Sequence, residues 1–223
     1  VARRRYVEVP RSDTARAEAF SDGVLAIVIT LLVLHLKPPP IASGGLLAQL
    51  LNQWPTYLAY VASYLYIAVV WLNHKAAFQR IKAMTRGLHW ANLGVLFCTA
   101  LLPWPTALVS EAIAEGNPPD DRVAVGLYAL IGAMLWVSWM IFFHVLFRHP
   151  ELLEDSVEET FFLGERLRAF AGALLYAAAG LVGVLTVPAL ALAIFVLLPL
   201  FYGLTSHGYA QLPVFGRRLP PKQ

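Results

Sequence analysis

Hydrophobic residues in this chain come in long blocks, not short alternating runs. Six blocks stand out, over roughly 17–36, 54–74, 88–110, 123–147, 168–187 and 189–206. Each has the length, about 17 to 25 residues, that a helix needs to cross a bilayer at 1.5 Å per residue. The last two share one stretch, Ala169 to Ser206, with no charged residue. That stretch is too long for one crossing. Pro188 divides it near the middle, because proline removes a backbone donor and restricts the residue before it. A hairpin at "LTVPAL" follows, and Pro199 is expected to kink the sixth span.

The first block repays a closer reading. A helix is expected to start at Asp13 or Thr14, where a side-chain oxygen can cap free N–H groups, and to stop at Pro38, Pro39 and Pro40. From Gly23 to Leu36 the one ionisable residue is His35. That run covers about 21 Å, short of the roughly 30 Å hydrocarbon core, so Phe20, Ser21 and Asp22 fall at or inside the boundary. At 100° per residue, Ile27, Leu31 and Leu34 lie within about 60° of one another, with Phe20 close to the same stripe and Thr30 on its border. Asp22 stands about 140° from Ile27. Two different faces are therefore predicted, and on periodicity alone the apolar one reads as lipid-facing or core.

Composition turns these blocks into a class. The 223 residues are 58% hydrophobic and 14% charged, with a mean hydropathy of +0.61, whereas soluble domains carry about 25% charged residues. The chain is expected to be an all-α, multi-pass integral membrane protein, one domain over 1–223. Its basic N-terminus has no small-residue cleavage site after it, so the first block reads as a retained helix and not a signal peptide. Cys98 is the single cysteine and makes no intrachain disulfide. The net charge of +3 matters less than its placement, and no nucleic-acid partner is expected. Of 17 Lys and Arg, all but Lys37 and Arg122 fall in the two termini and in the second-third and fourth-fifth loops. By the positive-inside rule both termini face the cytoplasm. The fourth-fifth loop, "RHPELLEDSVEETFFLGER", reads as a short interfacial or cytoplasmic helix.

Ionisable residues inside spans suggest function, although many only pair within the bundle. Asp22 and His74 fall at similar depth near the cytoplasmic ends of spans one and two, within hydrogen-bonding reach. Their pairing reads either as a clamp between helices or as a proton relay. The latter would make the protein a proton-coupled secondary transporter. An enzyme is not expected: there is no H-E-x-x-H and no Cys/His cluster at ligand spacing, so neither metal nor cofactor is implied. No TVGYG-type filter and no arginine ladder occur either.

"RAEAFSDG" fits an R-x-x-x-F-S-D signature, and the likeness continues through "VLAIVITLLVLHLKPP", "WLNHKAAFQRI" and "LHWANLGVLFCTALLPWPTALV". In these residues the chain resembles the transmembrane protein 175 family of potassium channels. The resemblance implies a single-repeat prokaryotic member in the plasma membrane, a homotetramer with the first helix lining a central pore. It implies that Ile27 forms the constriction, with Leu31 and Leu34 as further hydrophobic layers and Thr30 as a polar layer. Arg16, Phe20, Ser21 and Asp22 would then form a network at the helix base, with His74 as a partner. The permeant species would be monovalent cations, potassium over sodium. His35 stands where many relatives carry a carboxylate.

Overall fold

The computed structural model describes residues 11–39, 45–155, 157, 159–186 and 188–205. Its regular elements are helices: α1 (Arg11–Leu31, continued by a 3-10 turn over Leu32–His35), α2 (Leu46–Asn52), α3 (Trp54–Phe78), α4 (Arg86–Leu101), α5 (Pro103–Glu115), α6 (Pro118–Arg148), α7 (Glu159–Leu185) and α8 (Pro188–Thr205). Among the described residues, five helical segments are long and apolar enough to cross a membrane: Asp13–His35, Trp54–Phe78, Arg86–Glu115, Pro118–Arg148 and Phe161–Leu185. The protein is thus an all-α integral membrane protein. The block expected as a sixth span is α8, whose apolar stretch Leu190–Gly203 is shorter, with Pro199 inside the helix.

Prolines stand in the first turns of four of the eight described helices. Pro55, Pro103 and Pro118 stand in the first turns of α3, α5 and α6, where their missing N–H costs nothing. Pro188 opens α8 two residues after Thr186 closes α7 onto the Val182 carbonyl at 2.8 Å. Thr85 caps α4, its Oγ1 accepting from the Leu88 N–H at 3.3 Å.

Three expectations need correction. Helix α1 is already regular at Arg11, so Asp13 lies in its first turn and is not its cap. The Thr14 hydroxyl is buried with no hydrogen-bond partner among the described residues. The third block keeps its expected length as a span, Arg86–Glu115, but it is interrupted at Leu102, whose N–H reaches Thr99 at 3.1 Å, because Pro103 cannot donate to the ladder. The fourth-fifth loop is irregular between α6 and α7. Its second half, from Glu159, is helical as the start of α7, whereas its first half carries a short 3-10 turn over Pro150–Leu152 and then pairs with the second-third loop through the bridge Ile81–Leu153. Lys82 N–H donates to the Leu152 carbonyl at 2.9 Å and Glu154 N–H to the Arg80 carbonyl at 3.0 Å. Backbone pairing outcompetes helix here because Leu152 and Leu153 bury themselves beside Ile81 and Met84. The termini with Arg3, Arg4, Arg5, Arg217, Arg218 and Lys222, on which the charge count partly rests, lie outside the described residues.

The core sits among α3, α6, α7 and α8. Tyr66, Tyr128, Tyr176 and Phe195 are fully buried there, with Tyr66 and Tyr176 stacked at 5.0 Å and Tyr176 and Phe195 at 5.4 Å. Helices α6 and α7 approach so closely that a Cβ on Gly180 would overlap the Ala129 Cβ, and one on Gly132 would stand 2.5 Å from the Tyr176 ring. Small residues at such crossings let membrane helices gain dispersion contact without a hydrophobic driving force. Against this block lean α4 and α5, and α1 packs on the outside, against α3 and α4.

Candidate functional site

The base of α1 is fastened by a buried chain of hydrogen bonds through three helices. Ser21 of α1 is fully buried; its Oγ donates to the Ala17 carbonyl at 2.8 Å and accepts from Nδ2 of Asn92, on α4, at 2.9 Å. The Asn92 Oδ1 accepts from Nε2 of His74, on α3, at 3.0 Å. His74 is fully buried, its ring stacked on Phe78 at 4.2 Å. Its Nδ1 has no partner among the described residues. Such a chain specifies one rotational setting of α1, because a buried donor or acceptor left unmatched costs about 1–3 kcal/mol.

Asp22 lies beside this chain but outside it. Its Oδ1 accepts from Nε1 of Trp71 at 3.0 Å, and Trp71 precedes His74 by one turn of α3. Asp22 and His74 are therefore close yet bonded to different partners. Arg16 and Phe20 are exposed, Phe20 at 57%. Phe20 lines an open apolar groove between α1 and α4 with Val24, Trp90, Leu93 and Phe97. Of the expected base network, then, Ser21, Asp22 and His74 come together, and Arg16 and Phe20 stand on another face. Asn92 is the hub that sequence reasoning did not assign. The visible signal was an amide inside an apolar span, and Trp71 three residues before His74 was the signal for the other partner.

The rest of α1 has two unlike faces. Leu25, Val28 and Leu32 are buried against the bundle. Ile27 is 61% exposed and Leu34 67%, with Leu31 also exposed on that side. Thr30 is exposed, and its hydroxyl donates back to the Ile27 carbonyl at 2.8 Å and the Ala26 carbonyl at 3.0 Å, leaving oxygen lone pairs outward. The stripe thus ends in the tightened turn Leu32–His35. Beyond it, Lys37 pairs with Glu111 of α5 at 3.0 Å, and Gln53 donates to the Lys37 carbonyl at 3.1 Å, tying the far end of α1 to α5 and α3. His35 lines a polar cleft there with Lys37, Gln53, Thr56 and Glu111. Among the described residues no three His, Cys, Asp or Glu gather as metal ligands.

Residues 16–103, which hold both the base chain and the exposed stripe, match the family described as Endosomal/lysosomal potassium channel TMEM175. A protein of Streptomyces collinus named a potassium channel is 36% identical over 204 residues, covering 91% of this chain and 95% of that protein. The chain belongs to the TMEM175 family. Another TMEM175 relative, a protein of Chamaesiphon minutus named a potassium channel, is 40% identical over 147 residues, 64% of this chain and 69% of that one. The crystal structure of a lysosomal potassium-selective channel TMEM175 homolog from Chamaesiphon minutus matches with a TM-score of 0.74 at 31% identity, over 86% of this chain and 97% of that chain. The human relative is named an endosomal/lysosomal proton channel TMEM175; it is 32% identical over 181 residues, 74% of this chain but 34% of that protein. The TMEM175 relatives are ion channels, not enzymes.

Proposed function

We propose that the chain is a potassium channel, passive and selective for potassium over sodium, built as a homotetramer around a central pore lined by four copies of α1. The observation that carries this reading is the division of α1. One face is locked into the bundle through Ser21, Leu25, Val28 and Leu32, while Ile27, Leu31 and Leu34 point away from it. A helix so fastened presents the same stripe in every copy. The names of the bacterial relatives supply the ion.

In this reading α8 completes six spans, both termini are cytoplasmic, and the membrane is the prokaryotic plasma membrane. Ile27 forms the constriction. A ring of isoleucines offers no replacement for lost water ligands, so the ion with the cheaper dehydration, potassium, passes more readily, and a tighter ring dewets and closes. Leu31 and Leu34 extend the apolar lining, Thr30 offers a hydroxyl layer, and Gly23, with open space where a Cβ would stand, gives the helix a flexible base. Arg16, Phe20, Ser21, Asp22 and His74 serve as the base on which α1 is set. A proton-coupled transporter working through Asp22 and His74 has less support, since Trp71 and Asn92 take up those two groups separately.

The test is flux into liposomes holding the purified protein, with potassium, sodium and caesium compared and a pH gradient as a further arm, because animal relatives are named proton channels. Potassium flux is expected to exceed sodium flux, and Ile27→Ala or Ile27→Asn to change conductance or that ratio several-fold. Equal fluxes of all three ions, or variants indistinguishable from the parent, overturn the assignment of Ile27. Flux that saturates and requires a proton gradient overturns the channel.

A further inference from the structure

Where α6 ends and α7 begins, cationic and apolar surface occur together. Nη1 of Arg166, on α7, donates to Nδ1 of His144, on α6, at 3.2 Å, and the guanidinium lies over the Phe147 ring, 4.8 Å from its centroid. A guanidinium only donates, so the imidazole nitrogen is the acceptor. The two contacts hold a cation of α7 against α6 instead of letting it extend into water. Arg148 follows His144 by one turn, about 40° around the helix, and is exposed. Among the described residues, two carboxylates near in sequence have other partners: Glu165 pairs with Arg168 at 3.2 Å and Glu151 with His149 at 2.9 Å. From this basic end, exposed Ile141 on α6 and exposed Leu167 and Phe170 on α7 continue toward the apolar middle of the spans.

We infer that this surface is a binding site for an acidic phospholipid. Its phosphate sits between Arg148 and Arg166, and an acyl chain runs along Ile141 and Phe170. Charge complementarity selects the headgroup, since two arginines present planar donor forks to one phosphate. Basic surfaces between membrane helices at the cytoplasmic boundary favour acidic lipids, and an aromatic ring at that level suits the interface. Prior fixation of the Arg166 guanidinium by His144 and Phe147 lowers the ordering cost of binding. The site rests on the membrane reading of the chain and is independent of which ion the protein conducts.

Thermal unfolding of the purified protein in a neutral detergent tests the site. Phosphatidylglycerol is expected to raise Tm by about 2–4 °C and phosphatidylcholine to leave it unchanged. The double variant Arg148→Gln/Arg166→Gln is expected to lose that rise, Arg148→Gln alone to lose at least half of it, and Arg86→Gln, at a different basic position, to keep it. Equal shifts from both lipids overturn the proposal. So does a rise that survives Arg148→Gln undiminished, or one that inorganic phosphate alone reproduces. If the double variant does not fold, the single exposed substitution decides.

Discussion

Helices α6 and α7 meet through close contact, and α1 meets its neighbours through polar bonds. In the first pair, Gly180 and Gly132 bring the helices so near that a methyl group would overlap Ala129 or Tyr176. The α1 crossing has no such fit. Burial is 28% for its span, 50% for that of α6 and 33% for that of α7, so what sets α1 apart is the polar fastening of its base by Ser21, Asn92 and His74. The contrast separates a frame from a mounted part. Dense packing resists displacement in every direction because each shift loses many contacts or makes overlaps. A hydrogen-bond chain at one end fixes rotation and depth there, while the other end is held by the exposed Lys37–Glu111 pair and the Gln53 bond to the Lys37 carbonyl, contacts that water weakens. For a helix proposed to widen and narrow a pore, the second arrangement is the useful one.

Substitutions at the two crossings should separate these roles. Gly180→Val should have the largest effect, because its side chain enters space held by Ala129. The expected cost is about 3 kcal/mol or more, since overpacking commonly costs about 1–3 and here no flexible side chain can yield. Its signature is loss of the monodisperse species and of cooperative thermal unfolding. A Tm within a few degrees of the parent would mean that α6 and α7 can part cheaply, and that the frame is no stiffer than α1.

Asn92→Ala comes next. It removes two buried bonds, strands the His74 Nε2 donor and leaves Ser21 Oγ with only its bond to the Ala17 carbonyl, for an expected loss of about 1–3 kcal/mol. The protein should still fold, while a cysteine introduced at Ala17 becomes more reactive toward a soluble maleimide as α1 loosens. Unchanged reactivity would show that apolar packing alone sets α1. The smallest effect is expected from Trp71→Phe, which keeps the ring and deletes the donor to Asp22. About 1 kcal/mol or less should be lost in thermal unfolding, in line with polar contacts between membrane helices. A loss as large as that of Asn92→Ala would move Asp22 from the margin of the base to its centre.

Much of this was legible in the residue order, and for local reasons. Hydrophobic blocks became helices because a membrane leaves backbone groups no partner but each other. Pro188 marked a boundary because proline acts on its own turn. Where a local rule met a distant partner, it failed. The loop after α6 resembled an amphipathic helix, but Leu152 and Leu153 found a burial site beside Ile81, some seventy residues earlier, that only the folded chain provides.

The candidate site divides in the same way. The sequence by itself separated Asp22 from the Ile27 stripe, because helical pitch sets the angle between them whatever surrounds the helix. It also brought Asp22 and His74 to a common depth, because both depend on where spans end. Which groups bond was decided by tertiary structure alone. A hydrogen bond needs its partners near 3 Å and aligned, and a shift of one turn along α3 exchanges Trp71 for His74. That depends on how α1, α3 and α4 lean together, and no periodicity within one helix records it. Packing likewise buried Leu25, Val28 and Leu32 and left Ile27, Leu31 and Leu34 outside, a choice that helical pitch could frame but not make.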